Sequence, residues 1–436
     1  MSNHRPAVRP PAPWRFPPTV RHQVGAGLTV DTIDLRGQYL ASIVILLDVP
    51  LDSEPRGLDG VVAAMANLLN EGAAGMSGRQ FLQRLEAIGA TWRPAASLDG
   101  VRITVDLPVS RLADALALIA TALRAPRFSA EAVDRYSRAA HTQLAHDLAD
   151  PAACAALAFH AAVAPPGSRA GRRLDGDADS LGRLSPENIA EAHRRNVAPA
   201  RTTLVLAGDL SGVDVPAAVE RAFAGWDTST EPAVPGTGLP PGAGEPLIVV
   251  DRPGAAQTQL MLGCRSADRR SPDWLALRIA ALVLGRGMSS RINAALRQTS
   301  GYTYGLDARF VPLRRGGTFF VAGAVATAMT GPALADLRAI LVDAYENGFT
   351  DDECMAAAAH LVHSAPATFE TAQAVARQRA ELVSADLDDD FLDRYMSALP
   401  LQSADDVSDA FARHVDVPGL TLAAVGDATT VTTVVA

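Results

Sequence analysis

The 436-residue chain has three cysteines, Cys154, Cys264 and Cys354, widely spaced and without a C-x-x-C pair. That count excludes a disulfide-stapled scaffold and gives no cysteine pair for zinc or redox work, so the three read as reduced, mostly buried thiols. A basic excess is also missing. Lys+Arg 39 against Asp+Glu 48 leaves a net charge of −9, and bulk charge then draws the chain neither to phosphate backbones nor to anionic membranes. No nucleic-acid or membrane partner is expected. Nowhere is there an unbroken run of about 18 apolar residues, the length a membrane-crossing helix needs. The start, residues 1–18, sets Arg5, Arg9 and Arg15 among prolines where a secretory signal has an apolar stretch. The expectation is a cytoplasmic protein, with Trp14 and Phe16 as possible anchors for this opening segment. A G-x-S-x-G elbow, a P-loop and a G-x-G-x-x-G after a strand are absent as well.

What is present is an ordinary globular mix, 48% hydrophobic and 20% charged, long enough for two large domains or about three of 150 residues. It is also a chain built twice. Gly75-Met76-Ser77-Gly78-Arg79 is matched by Gly287-Met288-Ser289-Ser290-Arg291, and Gly89 by Gly301, at an offset of 287 − 75 = 212. Thr203-Leu-Val-Leu-Ala-Gly208-Asp209 is matched by Thr421-Leu-Ala-Ala-Val-Gly426-Asp427, at 427 − 209 = 218. Two distant landmarks in the same order with nearly equal offsets indicate two homologous halves. Between them residues 227–246 are rich in Pro and Gly, the composition of an exposed linker. We therefore divide the chain into an N-terminal half (1–226), a linker (227–246) and a C-terminal half (247–436), facing each other as a hinged clamshell.

Within each half the hydrophobic period alternates. Residues 39–49 form a short, continuous apolar run, as a buried strand does. Residues 60–70 have apolar positions on one helical face, 101–107 alternate strictly, and 110–123 return to helical spacing with Ser110 as a possible N-cap. Residues 204–207 are another strand, closed by Gly208-Asp209. The second half repeats this order with strands at 246–250, 258–263 and 317–324 and helices at 272–284 and 331–346. The fold class is α+β, each half a mixed, mainly antiparallel sheet packed with helices.

The nine histidines offer little. His141 and His146 lie five apart on a helix, about 140° from one another, and cannot chelate one ion. His360 and His363 share a face, but no Asp, Glu or Cys completes a ligand set beside them. The informative segment is 284–304. Ser289 and Ser290 can cap a helix carrying Arg297 in its last turn, Gly301 can stop it in the left-handed conformation, and Tyr304 then opens a strand. The helix stop folds the chain back, so guanidinium and phenol can converge on a backbone carbonyl or an oxyanion, since both donate hydrogen bonds. On spacing alone the alternative stays open that Arg297 pairs with a surface carboxylate and Tyr304 fills a core gap.

This segment resembles the C-terminal-half signature of the insulinase/pitrilysin metallopeptidases, the inverted zincins, in the branch that includes mitochondrial processing peptidase. Gly287-Met-Ser289-Ser290-Arg291-Ile, Leu296-Arg297-Gln and Gly301-Tyr-Thr-Tyr304 stand where that family reads Gly-Gly-x-x-Ser-Ser-Arg-Leu, Leu-Arg-Glu and Gly-Leu-x-Tyr. Residues 251–259, 273–277 and both Gly-Asp strand ends also match, so the likeness covers nearly the whole chain. It implies two halves enclosing a chamber for extended peptides, with Arg297 and Tyr304 touching substrate and Gly287, Ser289 and Ser290 beside it.

The chain departs from the family where the zinc belongs. Zinc-bearing relatives read Gly-x-Ala-His-x-x-Glu-His-Met in the first half, two histidines for the metal and a glutamate to activate water. Here residues 57–65 are Gly-Leu-Asp-Gly60-Val-Val-Ala63-Ala64-Met. Gly60 and Ala64 stand for the histidines, Ala63 for the base, and Gln143 for the downstream glutamate. None supplies a ligand or a base, so no metal and no cofactor are expected on this chain, and no peptide hydrolysis from the chain alone. The resemblance extends to split bacterial enzymes in which one subunit brings zinc and a related one brings the Arg and Tyr. The leading expectation is thus the non-metal subunit of a heterodimeric zinc peptidase, with a homologous zinc-bearing partner, a peptide substrate, and homodimers possible alone. The alternatives are a catalytically silent peptide-binding or assembly protein and, more weakly, an enzyme with its own metal at His360 and His363.

Overall fold

The computed structural model describes residues 14–229, 236, 238–242, 244–287 and 289–435, the last four by backbone alone. Met288, residues 1–13 and much of the linker lie outside the described residues. In chain order the strands are β1 (Val20–Val24), β2 (Leu28–Asp34), β3 (Leu40–Leu47), β4 (Arg93–Ser97), β5 (Gly100–Pro108), β6 (Thr202–Gly208), β7 (Leu247–Asp251), β8 (Gln257–Ser266), β9 (Asp307–Pro312), β10 (Gly317–Ala326) and β11 (Thr421–Gly426). They form a six-stranded sheet ordered β1-β2-β6-β3-β5-β4 and a five-stranded sheet ordered β7-β11-β8-β10-β9. Remove the edge strand β1 and the two orders correspond strand for strand. Each sheet has one parallel pair, β2 with β6 and β7 with β11, and is otherwise antiparallel. The fold is α+β, two mixed sheets each packed with helices.

The duplication reaches individual hydrogen bonds. Asp209 accepts from the Gly37 N–H at 2.9 Å and Asp427 from the Gly254 N–H at 3.0 Å. Leu35 donates to the Gly208 carbonyl and Arg252 to that of Gly426, both at 2.7 Å. The Gly-Asp landmarks therefore carry one local device twice: a strand end tied to the loop beside its parallel neighbour.

Burial follows the sequence pattern. Ile43, Val44 and Ile45 of β3 are fully buried because both faces of this sheet are covered. β5 buries Val101, Ile103, Val105 and Leu107 and leaves the intervening residues half-buried. The inner face packs on the N-terminal half's own helices, Val61–Leu68 and Leu112–Arg124. The outer face receives the helix Ala372–Ser384 from the other half, with Val375, Ala376 and Ala380 against Ile33, Val44, Val205 and Ala207. The exchange is mutual. The helix Pro151–Val163 of the N-terminal half lays Phe159 and Val163 on Met261 and Ala423, and Cys154 and Ala155 on Val425. Each half thus roofs the other's sheet.

Charge reinforces this seam. Arg379 donates to Asp31 at 2.7 Å with both side chains almost wholly buried, and Arg21 holds the other Asp31 oxygen at 2.8 Å. Arg314 joins Asp48 at 2.9 Å to Asp386 at 2.7 Å, beside a seam cavity of about 340 Å³. Trp14 stacks on Phe369 at 5.2 Å and Phe16 meets the same ring edge-on at 5.6 Å, while the Phe16 N–H donates to Asp393 at 3.1 Å. The opening segment is therefore tied to helices of the C-terminal half.

Three local expectations are corrected. Ser110 does not cap a helix: it lies in the 3-10 turn Val109–Arg111, and the α-helix starts at Leu112 with no side-chain cap. Tyr304 does not open a strand, since β9 begins at Asp307. The helix placed at 272–284 runs from Trp274 to Ala281 and then widens into a π-helical turn, Leu282–Arg286.

Candidate functional site

The segment that carries Arg297 and Tyr304 is built from two π-helical stretches, Leu282–Arg286 and Asn293–Thr299, and a turn leading into β9. Such wide turns are uncommon and concentrate at functional sites. Gly301, at φ 66°, occupies the left-handed region and ends the second stretch, after which Tyr302 donates to the Leu296 carbonyl at 2.9 Å. Arg297 is exposed on the second stretch. Tyr304 is 90% exposed, so it fills no core gap. Its neighbour Thr303 is fixed, its hydroxyl donating to the Ala324 carbonyl on β10 at 2.6 Å.

Ser289 is exposed and Ser290 buried. The Ser290 hydroxyl does not cap the helix. It donates back to the Gly287 carbonyl at 2.6 Å. Arg291 spends its guanidinium on structure, donating to both Glu353 oxygens at 2.7 Å and to the Gly348 carbonyl at 3.0 Å, over the Phe349 ring. The Arg291 hydrogen bond holds the Glu353 carboxyl down at about 2. Sequence reasoning missed Asn293, which lies buried at the centre of the segment.

The duplication supplies an internal control. At the offset of 212, Asn293, Arg297 and Tyr304 correspond to Phe81, Leu85 and Trp92 (293 − 212 = 81, and so on). In the N-terminal half these are core residues: Phe81 and Leu85 are buried and Phe81 meets Trp92 edge-on at 6.0 Å. One scaffold packs hydrocarbon where its copy exposes a cation and a phenol. The fold therefore does not require the polar version.

The position to which the resemblance assigns a metal in relatives is filled from within. Gly60, at φ 90°, precedes the helix Val61–Leu68, where Ala63 and Ala64 are fully buried. Glu54 caps that helix, one oxygen accepting from the N–H groups of Gly60 at 3.1 Å and Val62 at 3.0 Å. The other accepts from Arg169 at 2.7 Å, and Arg169 also donates to the carbonyls of Arg172 and Leu174, each at 3.1 Å. Arg172 grips Asp59 at 2.6 Å, and Asp147 takes Arg173 and Gln143, each at 2.7 Å. Residues 165–177 are thereby clamped over the helix start. A Cβ at residue 60 would be driven into the Asp175 carbonyl. Burial pushes the Glu54 carboxyl up, opposed by Arg169, and pushes the Tyr136 phenol up further, with Asp175 and Glu54 adding to it.

Zinc does not fit these residues. Two methyl groups and a hydrogen offer no lone pair, Gln143 is committed to Asp147, and the Glu54 carboxylate beside Gly60 is already taken by Arg169 and two backbone N–H groups. Among the described residues no group of three or more His, Cys, Asp or Glu is placed to hold a metal ion. His141 contacts the carbonyls of Ser137 and Ala178. Cys264 and Cys354 are buried, and desolvation raises each thiol to about 11, far from a reactive thiolate. No described helix is long and apolar enough to cross a membrane.

The chain is thus a repeated α+β scaffold with an exposed Arg297 and Tyr304 in its second half and a tightly packed helix start at Gly60 in its first. Residues 183–361 match the family described as "Peptidase M16 inactive domain". Over that stretch the chain is similar to the M16, pitrilysin/insulinase, family. A protein of Mycobacterium tuberculosis named as an uncharacterized zinc protease is 24% identical over 77% of this chain and 76% of its own length, and one of Streptomyces coelicolor, similarly named, is 24% identical over 76% and 73%. The solved peptidase M16 inactive domain from Pseudomonas fluorescens superposes with a TM-score of 0.87 at 22% identity, covering 94% of this chain and 98% of that one. A chain of complex III from Candida albicans superposes at 0.77 with 13% identity, over 93% and 95%.

Proposed function

We propose that this chain is the non-metal subunit of a two-chain zinc peptidase, gripping an extended peptide through Arg297 and Tyr304 while a homologous partner brings the metal. The observation that carries the reading is the asymmetry between the copies: Arg297 and Tyr304 stand exposed where Leu85 and Trp92 serve the core. Arginine is charged at every accessible pH and a phenol donates a hydrogen bond, so the pair suits a peptide carbonyl whose oxygen gains charge during attack. Holding that carbonyl in place is a contribution separable from activating water. Gly287, Ser289 and Ser290 would form the wall beside the peptide. Gly60, Ala63, Ala64 and Gln143 would take no part in chemistry. A cytoplasmic heterodimer is the assembly this reading implies.

The test is reconstitution with a homologous chain carrying His-x-x-Glu-His. Alone, the protein cleaves no peptide. In the mixture, Arg297→Ala or Tyr304→Phe lowers kcat/KM about ten-fold or more, as loss of a charge-stabilising donor does. Full activity of both variants in an active mixture would show an assembly or peptide-binding role instead.

A further inference from the structure

Asn293 is the most densely hydrogen-bonded side chain of the candidate site and lies buried beneath it. Its amide nitrogen lies 3.1 Å from the Gly285 carbonyl, 3.3 Å from that of Gly287, 3.1 Å from the Ser290 hydroxyl and 3.0 Å from the Leu306 carbonyl. Its oxygen accepts from the Leu306 N–H at 3.0 Å. One carboxamide thus ties together the end of the first π-helical stretch, the start of the second and the chain entering β9. Four oxygens surround its nitrogen and one N–H meets its oxygen, a pattern only a primary amide satisfies. Leucine would leave the Gly285 carbonyl and both Leu306 backbone groups without this partner, and a carboxylate would set its negative charge among four oxygens.

We propose that Asn293 is the positioning residue that fixes Arg297 and Tyr304 relative to one another, by fastening the helical stretch that carries the first to the turn that carries the second. Arg297 lies four residues beyond Asn293, on the same stretch. Tyr304 lies two residues before Leu306, which Asn293 holds through both backbone groups. In the N-terminal copy this position is Phe81, which packs on Trp92; there the segment has no exposed pair to aim. The inference rests on the peptide-gripping reading for its purpose, but its geometry concerns this chain alone.

The experiment places 3-fluorotyrosine at position 304, with position 395, a buried tyrosine of the C-terminal core, as the reference, and follows both by fluorine NMR together with amide exchange. In Asn293→Ala the 304 signal broadens or splits, and the Leu306 amide exchanges about ten-fold faster or more, while the 395 signal is unchanged. Asn293→Asp shows the same disruption at neutral pH and recovers as the pH falls, because a protonated carboxyl regains one donor; the alanine variant shows no such recovery. An unchanged 304 signal and Leu306 exchange rate in Asn293→Ala overturns the proposal, and so does a pH-independent Asn293→Asp. Should the alanine variant not fold, the wild-type chain decides. Leu306 lies just ahead of β9 and must exchange as slowly as the β9 amides, and exchange at the rate of an open loop overturns the assignment. None of these readouts needs peptide or partner. Ordering that depends on Asn293, found together with full activity of Arg297→Ala in the reconstituted mixture, removes the peptidase role and leaves the positioning intact.

Discussion

Replacing Arg169 by methionine tests whether the contacts over Gly60 act as a structural lock. Its side chain is 4% exposed and that of its partner Glu54 is not exposed at all. Arg169→Met keeps the hydrocarbon volume but leaves the Glu54 carboxylate buried, with only the N–H groups of Gly60 and Val62 to hold it. Breaking a buried pair from one side costs about 3–5 kcal/mol. The double variant Glu54→Gln/Arg169→Met, which buries no unpaired charge, recovers most of that loss. The pH dependence has a definite sign. Burial already raises the Glu54 carboxyl above its ordinary 4.5 and Arg169 opposes the shift, so removing Arg169 raises it further. A group with a raised folded-state value binds its proton more readily when folded, and its contribution declines as pH rises through the window above 4.5. The deficit of Arg169→Met relative to wild type is therefore larger at pH 7 than at pH 5. Urea unfolding at the two pH values measures both. A loss below about 1 kcal/mol, the range of an exposed pair, or a loss larger at pH 5, refutes the buried lock.

Introducing a His-x-x-Glu-His motif with Gly60→His, Ala63→Glu and Ala64→His yields no stoichiometric zinc by elemental analysis and lowers Tm. Residue 60 is left-handed and crowded by Asp175, and overfilling a packed core costs about 1–3 kcal/mol per site. One tight zinc per chain with a raised Tm contradicts this. In the other half, Arg291 hydrogen-bonds Glu353 and holds its carboxyl at about 2. The stability it contributes is fully present above the ordinary value of 4.5 and is lost as pH falls from there through about 2. Glu353→Gln therefore loses stability at neutral pH and shows a flatter decline in Tm between pH 4.5 and 2 than the wild type; parallel curves would rule out this pair as an acid-sensitive contact.

The parts of this molecule that were legible in the sequence are those written locally. The continuous run at 39–49 and the alternation at 101–107 correspond to β3 and β5 because side-chain period reports burial directly. The Gly-Asp landmarks revealed the duplication because each repeats one strand-end device, Asp209 to Gly37 and Asp427 to Gly254. Gly301 announced its left-handed turn. The lock over Gly60 was not legible, since it joins Glu54 to Arg169 across 115 positions. Residues 57–65 themselves gave no sign of the contacts that cover Gly60. Ser110 and Ser290 misled because a hydroxyl before a helical run has other acceptors available, and Ser290 prefers the Gly287 carbonyl. Tyr304 was assigned to a strand since nothing local distinguishes the last residues of a turn from the first of β9. Asn293 was overlooked for a related reason: its partners Gly285 and Leu306 lie on opposite sides of it, and the two π-helical stretches that bring them together leave no pattern at the period of 3.6.

The exchange of roofing helices sets an order of events on the ribosome. Once Gly208 has been added, the six-stranded sheet has all its strands, yet the outward surface formed by Ile33, Val44, Val205 and Ala207 lacks its covering helix until Ser384 is in place, 384 − 208 = 176 residues later. At the usual elongation rates of about 5–20 residues per second, that greasy plane waits roughly 10–35 s. A nascent chain stalled within this interval is a sticky half-product, and it is there that a holding chaperone has most to protect.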